Sequence, residues 1–348
     1  MKKIDEFFQY AVQHRASDLH LLKDQPPIVR IDGVLKPIPG KKALASEELN
    51  ELVFLILSER QQQAFERDKE LDLSYEIKGL SRFRVNIMYE LDSVSLVARV
   101  VANDIPTMES LGLPKVAYDL IQEHQGLILV TGPTGMGKST TLAAMIEVIN
   151  KERTEHIVTL EDPIEFLYTP KKSIIRQRQL GSDMLSFAAA LKHVLRQDPN
   201  VILVGEMRDL ETISSTITLA ETGHLVLATL HTLNAAQSID RIIDVFPPYQ
   251  QSQVRLQVSL FLRAIISQQL LPKSGGGRLA SREVLINTPA ISNLIRENKI
   301  PQIKTVMQTS AEIGMVTMDQ DIRRLYEEKQ ITKEVAQTHM LDPKSLLR

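Results

Sequence analysis

Four short apolar runs restrict this chain more than any other feature: LILVT (127–131), HIVTL (156–160), VILV (201–204) and LVLATL (225–230). Stretches long enough for helices separate them. Strands that are apolar on both faces must be covered on both faces, and strands alternating with helices run parallel. The runs therefore predict an α/β fold with a mainly parallel sheet. In such a sheet ligands collect beyond the carboxyl ends of the strands, so the residues that follow each run carry the most information.

The first run leads into GPTGMGKST, residues 132–140, which matches G-x-x-x-x-G-K-[ST]. Gly132, Pro133, Thr134, Gly135, Met136, Gly137, Lys138, Ser139 and Thr140 are the expected nucleotide-binding segment. Its glycines let backbone N–H groups approach phosphate oxygens, Lys138 can reach the β and γ phosphates of ATP, and Ser139 can hold Mg²⁺. After the second run come Glu161, Asp162 and Glu165; after the third Glu206, Arg208 and Asp209; after the fourth His231, close behind His224. Singly, such carboxylates are more often helix caps or solvated loop residues, and a lone histidine is usually structural. Together they supply what phosphoryl transfer needs at one sheet edge: a cation, a metal ligand, a water-orienting base and a sensor. Proline disfavours helix in the residue before it, so Asp162 is expected to be extended and EDPIE to be a strand exit. Glu206 is expected at the end of the strand beside the P-loop, as a ligand of Mg²⁺ or its water.

The first hundred residues follow a different grammar. Asp32-Gly33 between two apolar runs predicts a hairpin. Ser46 with Glu47 and Glu48 is expected to open one helix running through ELNELVFLILSERQQQAF. SRFRVNIMYELDSVSLVARVV reads as an antiparallel pair with Phe83, Val85 and Ile87 on one side and Arg82, Arg84 and Asn86 on the other. Those arginines are either a solvated sheet face or a basic surface offered to a neighbour's nucleotide. Pro106, Gly112 and Pro114 mark residues 102–114 as a linker, which gives an N-terminal domain over 1–101 and a second domain over 115–348.

Of 348 residues, 43% are hydrophobic, the formal net charge is -2 and cysteine is absent. Disulfides and thiolate metal sites are thereby excluded. No general attraction to nucleic acid or anionic lipid is expected, and no apolar run approaches the roughly 18 residues of a membrane span. The expected location is cytoplasmic.

These motifs resemble a known family. TLEDPIEF is similar to the aspartate box, VILVGEMRD to the atypical Walker B and TGHLVLATLHT to the histidine box of the type II/IV secretion ATPase superfamily, and AISNLIRE (290–297) resembles a motif of its pilus-retraction members. The likeness runs from ASDLHL (16–21) to AISNLIRE. Met136 stands where the family's loop often has Ser, at a position expected to contribute chiefly backbone, and Ser292 stands where that motif has Arg. The resemblance implies a PAS-like N-terminal domain followed by a RecA-like ATPase domain, assembled as a homohexamer with ATP and Mg²⁺ near the domain junction. It implies Lys138 and Ser139 as phosphate and Mg²⁺ ligands, Glu165 as general base, Glu206 as the Walker B carboxylate and His231 as a sensor. Arg82, Arg84 and Arg99 become candidate nucleotide-binding arginines. The implied work is type IV pilus retraction at the inner membrane, acting on the pilus platform protein and through it on pilin. Assembly and secretion ATPases of the superfamily usually carry a Cys₄ zinc insertion, which a chain without cysteine lacks. A nucleic-acid translocase would need a basic, aromatic-bearing groove, yet tryptophan is absent and aromatics are 5%. A nucleotide-binding scaffold without hydrolysis fits poorly with Lys138, Glu165 and Glu206 all present.

Overall fold

A computed structural model describes residues 2–31, 33–101 and 104–347. The chain divides into two compact units, Met1–Asp104 with Glu165–Leu167, and Ile105–Ile164 with Tyr168–Arg348. Ile105 to Pro114, within the segment read as a linker, fall in the second unit, where Met108 and Leu113 are buried.

The first unit is built on six strands: β1 (Asp18–Leu21), β2 (Ile28–Ile31), β3 (Val34–Pro37), β4 (Glu70–Ile77), β5 (Ser81–Glu90) and β6 (Ser93–Val100). They form an antiparallel sheet in the order β3-β2-β1-β6-β5-β4. Strand alternation decides its faces. On β5, Phe83, Val85 and Ile87 are fully buried, Arg84 is exposed, and Arg82 and Asn86 are half-buried. The buried face packs with Phe8, Leu49, Leu52 and Phe65, the rings of Phe8 and Phe83 lying 4.6 Å apart.

The expected hairpin is present, with Ile31 opposite Val34 across β2 and β3; Asp32 itself lies outside the described residues. The single helix expected from Ser46 is instead two, Ser46–Phe54 and Glu59–Asp68. Ser58 starts the second through a capping box with Gln61, a local signal strong enough to restart the helix. Ser46 caps nothing; its hydroxyl meets Ser93 at 2.8 Å.

The second unit carries β7 (Gly126–Thr131), β8 (His156–Glu161), β9 (Ile174–Gln179), β10 (Val201–Val204), β11 (Leu225–Leu230), β12 (Leu262–Pro272) and β13 (Arg278–Ile286), in the order β13-β12-β7-β11-β10-β8-β9. All neighbours are parallel except β12 with β13. The four apolar runs are four of the five interior strands, adjacent to one another. Successive residues of β7 point to opposite faces: Leu127 and Leu129 enter one core, Ile128 and Val130 the other. β11 sits between β7 and β10, so the strand beside the P-loop ends in His231, and Glu206 lies one strand further away than its position in the sequence suggested.

After β13, helix Pro289–Arg296 buries Ile291 and Ile295. Helices Met318–Glu327 and Lys333–His339 close a smaller core around Leu271. Among the described residues no helix is long and apolar enough to cross a membrane.

Candidate active site

Helix Lys138–Glu152 starts directly from the P-loop, with Gly137 as its left-handed N-cap residue. Gly135 shares that conformation and Gly132 has φ +140°. Gly132 has no space for a side chain, since a Cβ there would lie 2.3 Å from the carbonyl oxygen of Gln268. Glycine is what lets this backbone adopt positive φ at these positions, and loops of this pattern offer their N–H groups to anions. Lys138 is buried, and its Nζ donates to the carbonyls of Gly132 (2.7 Å) and Pro133 (3.0 Å). Phosphate oxygens are stronger, charge-assisted acceptors than carbonyls, so the ammonium is placed to engage a nucleotide. Ser139 and Thr140 follow, half-buried in the first helical turn.

The neighbouring strand ends complete a connected line. Thr134 of the loop meets Nδ1 of His231 at 3.3 Å, and Nε2 of His231 lies 3.0 Å from Oε1 of Glu206. The same oxygen accepts from Nε of Arg208 at 2.7 Å. Burial works to raise the pKa of Glu206, but the Arg208 hydrogen bond and the charges of His231 and Arg208 outweigh it and hold the carboxyl below its ordinary range. The Glu206 hydrogen bond in turn raises the Arg208 pKa. An ionised carboxylate can only accept, so Nε2 of His231 carries the hydrogen of that contact. One imidazole thus touches both the loop at Thr134 and the carboxylate of Glu206. Gly205 makes the geometry possible: a Cβ there would stand 2.9 Å from the Leu160 carbonyl, where β10 leaves past the end of β8.

The other carboxylates sort by environment. Glu161 accepts from Thr159 (2.6 Å) and from Gln177 (3.2 Å), and is tied into the sheet. Asp209 is the N-cap of helix Leu210–Glu221, accepting from the backbone of Thr212 at 2.8 Å. His224, just before β11, bonds the Leu219 carbonyl and lies at the other end of that strand from His231. Asp162 leaves β8 without helix, as the following proline predicts. Glu165 is exposed and groups with the first unit, so the line around Lys138, Glu206 and His231 does not include it.

The three arginines also lie in the first unit. Arg84 pairs with Arg99 across β5 and β6, Arg99 with Asp18 across β6 and β1, and Asp18 with Arg30 across β1 and β2, which forms one charged row. Arg99 donates to Asp18 at 2.9 Å. Arg84 is exposed, and Arg82 is half-buried with its Nε unpaired among the described residues.

Gln268 escaped the sequence reading. It is 2% exposed on β12, its amide nitrogen donates to the Met136 carbonyl at 2.5 Å, and its amide oxygen accepts from Thr141 at 2.9 Å. Beside it Ser267 accepts from Thr131 at 2.8 Å. Met136 is held by more than its backbone, because its sulfur accepts from the Leu270 N–H at 3.2 Å.

Comparison with known proteins identifies the family. The family model for type II/IV secretion system proteins matches residues 1–346. The chain belongs to this family. It is 45% identical over 333 residues to the type IV pilus retraction ATPase PilT of Pseudomonas aeruginosa, with 96% of each chain covered. The crystal structure of the pilus retraction motor PilT with bound ADP superposes with a TM-score of 0.94 at 47% identity, covering 100% of this chain and 99% of the other. Likeness to an assembly member of the family, the type IV pilus assembly ATPase PilB of Acinetobacter baylyi, is lower: 34% identity over 70% of this chain and 43% of that protein. This family member is thus an ATPase of the retraction kind in sequence and in fold.

Proposed function

We propose that the chain hydrolyses ATP to drive type IV pilus retraction, as a homohexamer acting on the inner-membrane platform protein at the pilus base and through it on pilin. One observation carries the reading: a P-loop joined by Thr134, His231 and Glu206 across three adjacent strand ends, in a chain that matches a retraction motor over its whole length. Lys138 and the loop N–H groups bind and orient the phosphates, and Lys138 balances charge that develops during transfer. Glu165 accepts the proton of the attacking water. His231, touching both loop and carboxylate, reports the state of the loop.

The residues present also suit Mg²⁺. Among the described residues no group of three or more His, Asp or Glu side chains could hold a metal ion, and Mg²⁺ ordinarily takes one or two protein oxygens together with substrate phosphates. The Ser139 hydroxyl and the ionised Glu206 offer that donor set. Bound there, the ion would neutralise phosphate charge.

Assembly is the rival reading within the family. The shorter and weaker match to the assembly ATPase disfavours it. The test pairs two measurements. Purified Lys138→Ala should fold, with an unchanged melting temperature, and lose ATP hydrolysis; near-normal turnover would overturn the site. Cells lacking the protein should keep pili that no longer shorten, whereas loss of pili would make assembly the correct reading.

A further inference from the structure

Gln268 sits where it can set the shape of the phosphate cradle. A peptide unit is planar and trans, so its C=O and N–H point in opposite directions. The Gln268 amide holds the Met136 carbonyl toward β12 at 2.5 Å, which turns the N–H of Gly137 away from β12. That N–H belongs to the loop whose backbone donors form the anion site. The clamp is itself oriented. Thr141, one turn into the helix that begins at Lys138, donates to the Gln268 oxygen at 2.9 Å and so fixes which end of the amide faces Met136. Both side chains are buried. Gly132 admits the backbone of β12, since a Cβ there would stand 2.3 Å from the Gln268 main-chain carbonyl oxygen, and Gly137 leaves room for the clamp, a Cβ there standing 3.3 Å from the side-chain amide nitrogen.

We propose that Gln268 is a positioning residue for ATP binding, which holds the Met136–Gly137 peptide with its N–H turned to the nucleotide phosphates, and that Thr141 acts through it. This rests on the ATP reading of the loop.

A donor to the phosphates that persists from ground state to transition state changes KM and leaves kcat nearly unaltered. Gln268→Leu should therefore raise KM for ATP about tenfold, as expected for one well-placed hydrogen bond, with kcat within about twofold. Gln268→Glu keeps the acceptor for Thr141 but faces the Met136 carbonyl with a carboxylate, and should raise KM further. Thr141→Val leaves Gln268 in place but unoriented; a rise of about threefold is expected, and none when it is added to Gln268→Leu, because the two act as one unit. The measurements are steady-state hydrolysis, binding of a fluorescent ATP analogue and thermal melting for the full chain. A role in folding alone would lower the melting temperature and leave KM untouched. Native KM in folded Gln268→Leu overturns the proposal; should that variant fail to fold, native KM in Thr141→Val does the same. Additive effects in the double variant would remove the role given to Thr141. If the unaltered chain neither binds nor hydrolyses ATP, the ATP reading itself falls and this inference with it, an outcome distinct from normal ATP turnover with an indifferent Gln268.

Discussion

Three glutamates near the strand ends are alike in charge and differ in what surrounds them. Glu161 is fastened by Thr159 and Gln177 inside the sheet, Glu206 is shared by His231 and Arg208, and Glu165 stands exposed. A proton acceptor must be reachable by water and by substrate, whereas a metal-side carboxylate must stay ionised. Glu165→Gln keeps shape and removes the base, so ATP should bind and remain uncleaved, with turnover down about 10²–10⁴-fold. Glu206→Gln should slow turnover with a changed Mg²⁺ dependence, and Glu161→Gln should be mildest. Hydrolysis across a Mg²⁺ series separates the three; near-native turnover in Glu165→Gln with a dead Glu161→Gln would mean that the base is Glu161. Lys138 and Ser139 were legible through the G-x-x-x-x-G-K-[ST] pattern, and Glu206 and His231 because each stands within two residues of the end of an apolar run. Gln268 was not, because its claim on the loop comes from a strand 132 residues away from Met136, and one glutamine in a sequence carries no mark of its partner.

Elements reveal themselves unevenly for the same reason. β7, β10 and β11 are buried along their whole length, and continuous apolar runs announce them. Edge strand β9 reads IIRQRQ and β12 is interrupted by Ser267, Gln268 and Gln269, so period and hydropathy both weaken there. The order of strands in space was also hidden, since β11 inserts between two strands that precede it in the chain. The β12–β13 hairpin, turned by Gly275, Gly276 and Gly277 with left-handed φ, gathers much of the unit's buried charge. Glu283 on β13 accepts from the N–H of Ala235 at 2.9 Å and of Met318 at 3.3 Å, and so serves the first turns of two helices. Burial raises its pKa, and the two backbone donors only partly offset this. The folded chain therefore holds that proton to higher pH than an unfolded chain, whose glutamates titrate near about 4.3. The stability tied to the neutral carboxyl is present below that value and is lost as pH rises through the raised folded pKa. Glu283→Gln removes the dependence. The melting temperature of the unaltered chain, relative to this variant, should decline from pH 4 upward and then level off; a relative rise over that range would contradict the sign.

At the scale of the whole molecule, the proposed assembly can be tested through what the first unit offers. Its charged row runs Arg84, Arg99, Asp18, Arg30 across four strands. Arg99 is already engaged by Asp18 and Arg82 is half-buried, which makes exposed Arg84 the better candidate of the three to reach a neighbouring chain's ATP. The active species should be a hexamer by light scattering. Arg84→Ala should cut hydrolysis more than ATP binding, by up to about 10³-fold if it stabilises the transferring phosphoryl group, and a fully active monomer would rule the arrangement out. A separate consequence concerns where this protein could be spliced with a relative. Asp321 accepts from the Arg282 backbone at 2.7 Å and from Ser281 at 3.1 Å, and Glu283 serves the start of the same helix, Met318–Glu327. Burial lowers the Arg282 pKa to about 10 with Asp321 opposing it. A seam placed between β13 and Met318 would leave Arg282 and Glu283 facing foreign partners, and an uncompensated buried charge is among the costliest defects a chimera can inherit. The hairpin and the helices after it have to be exchanged as one cassette.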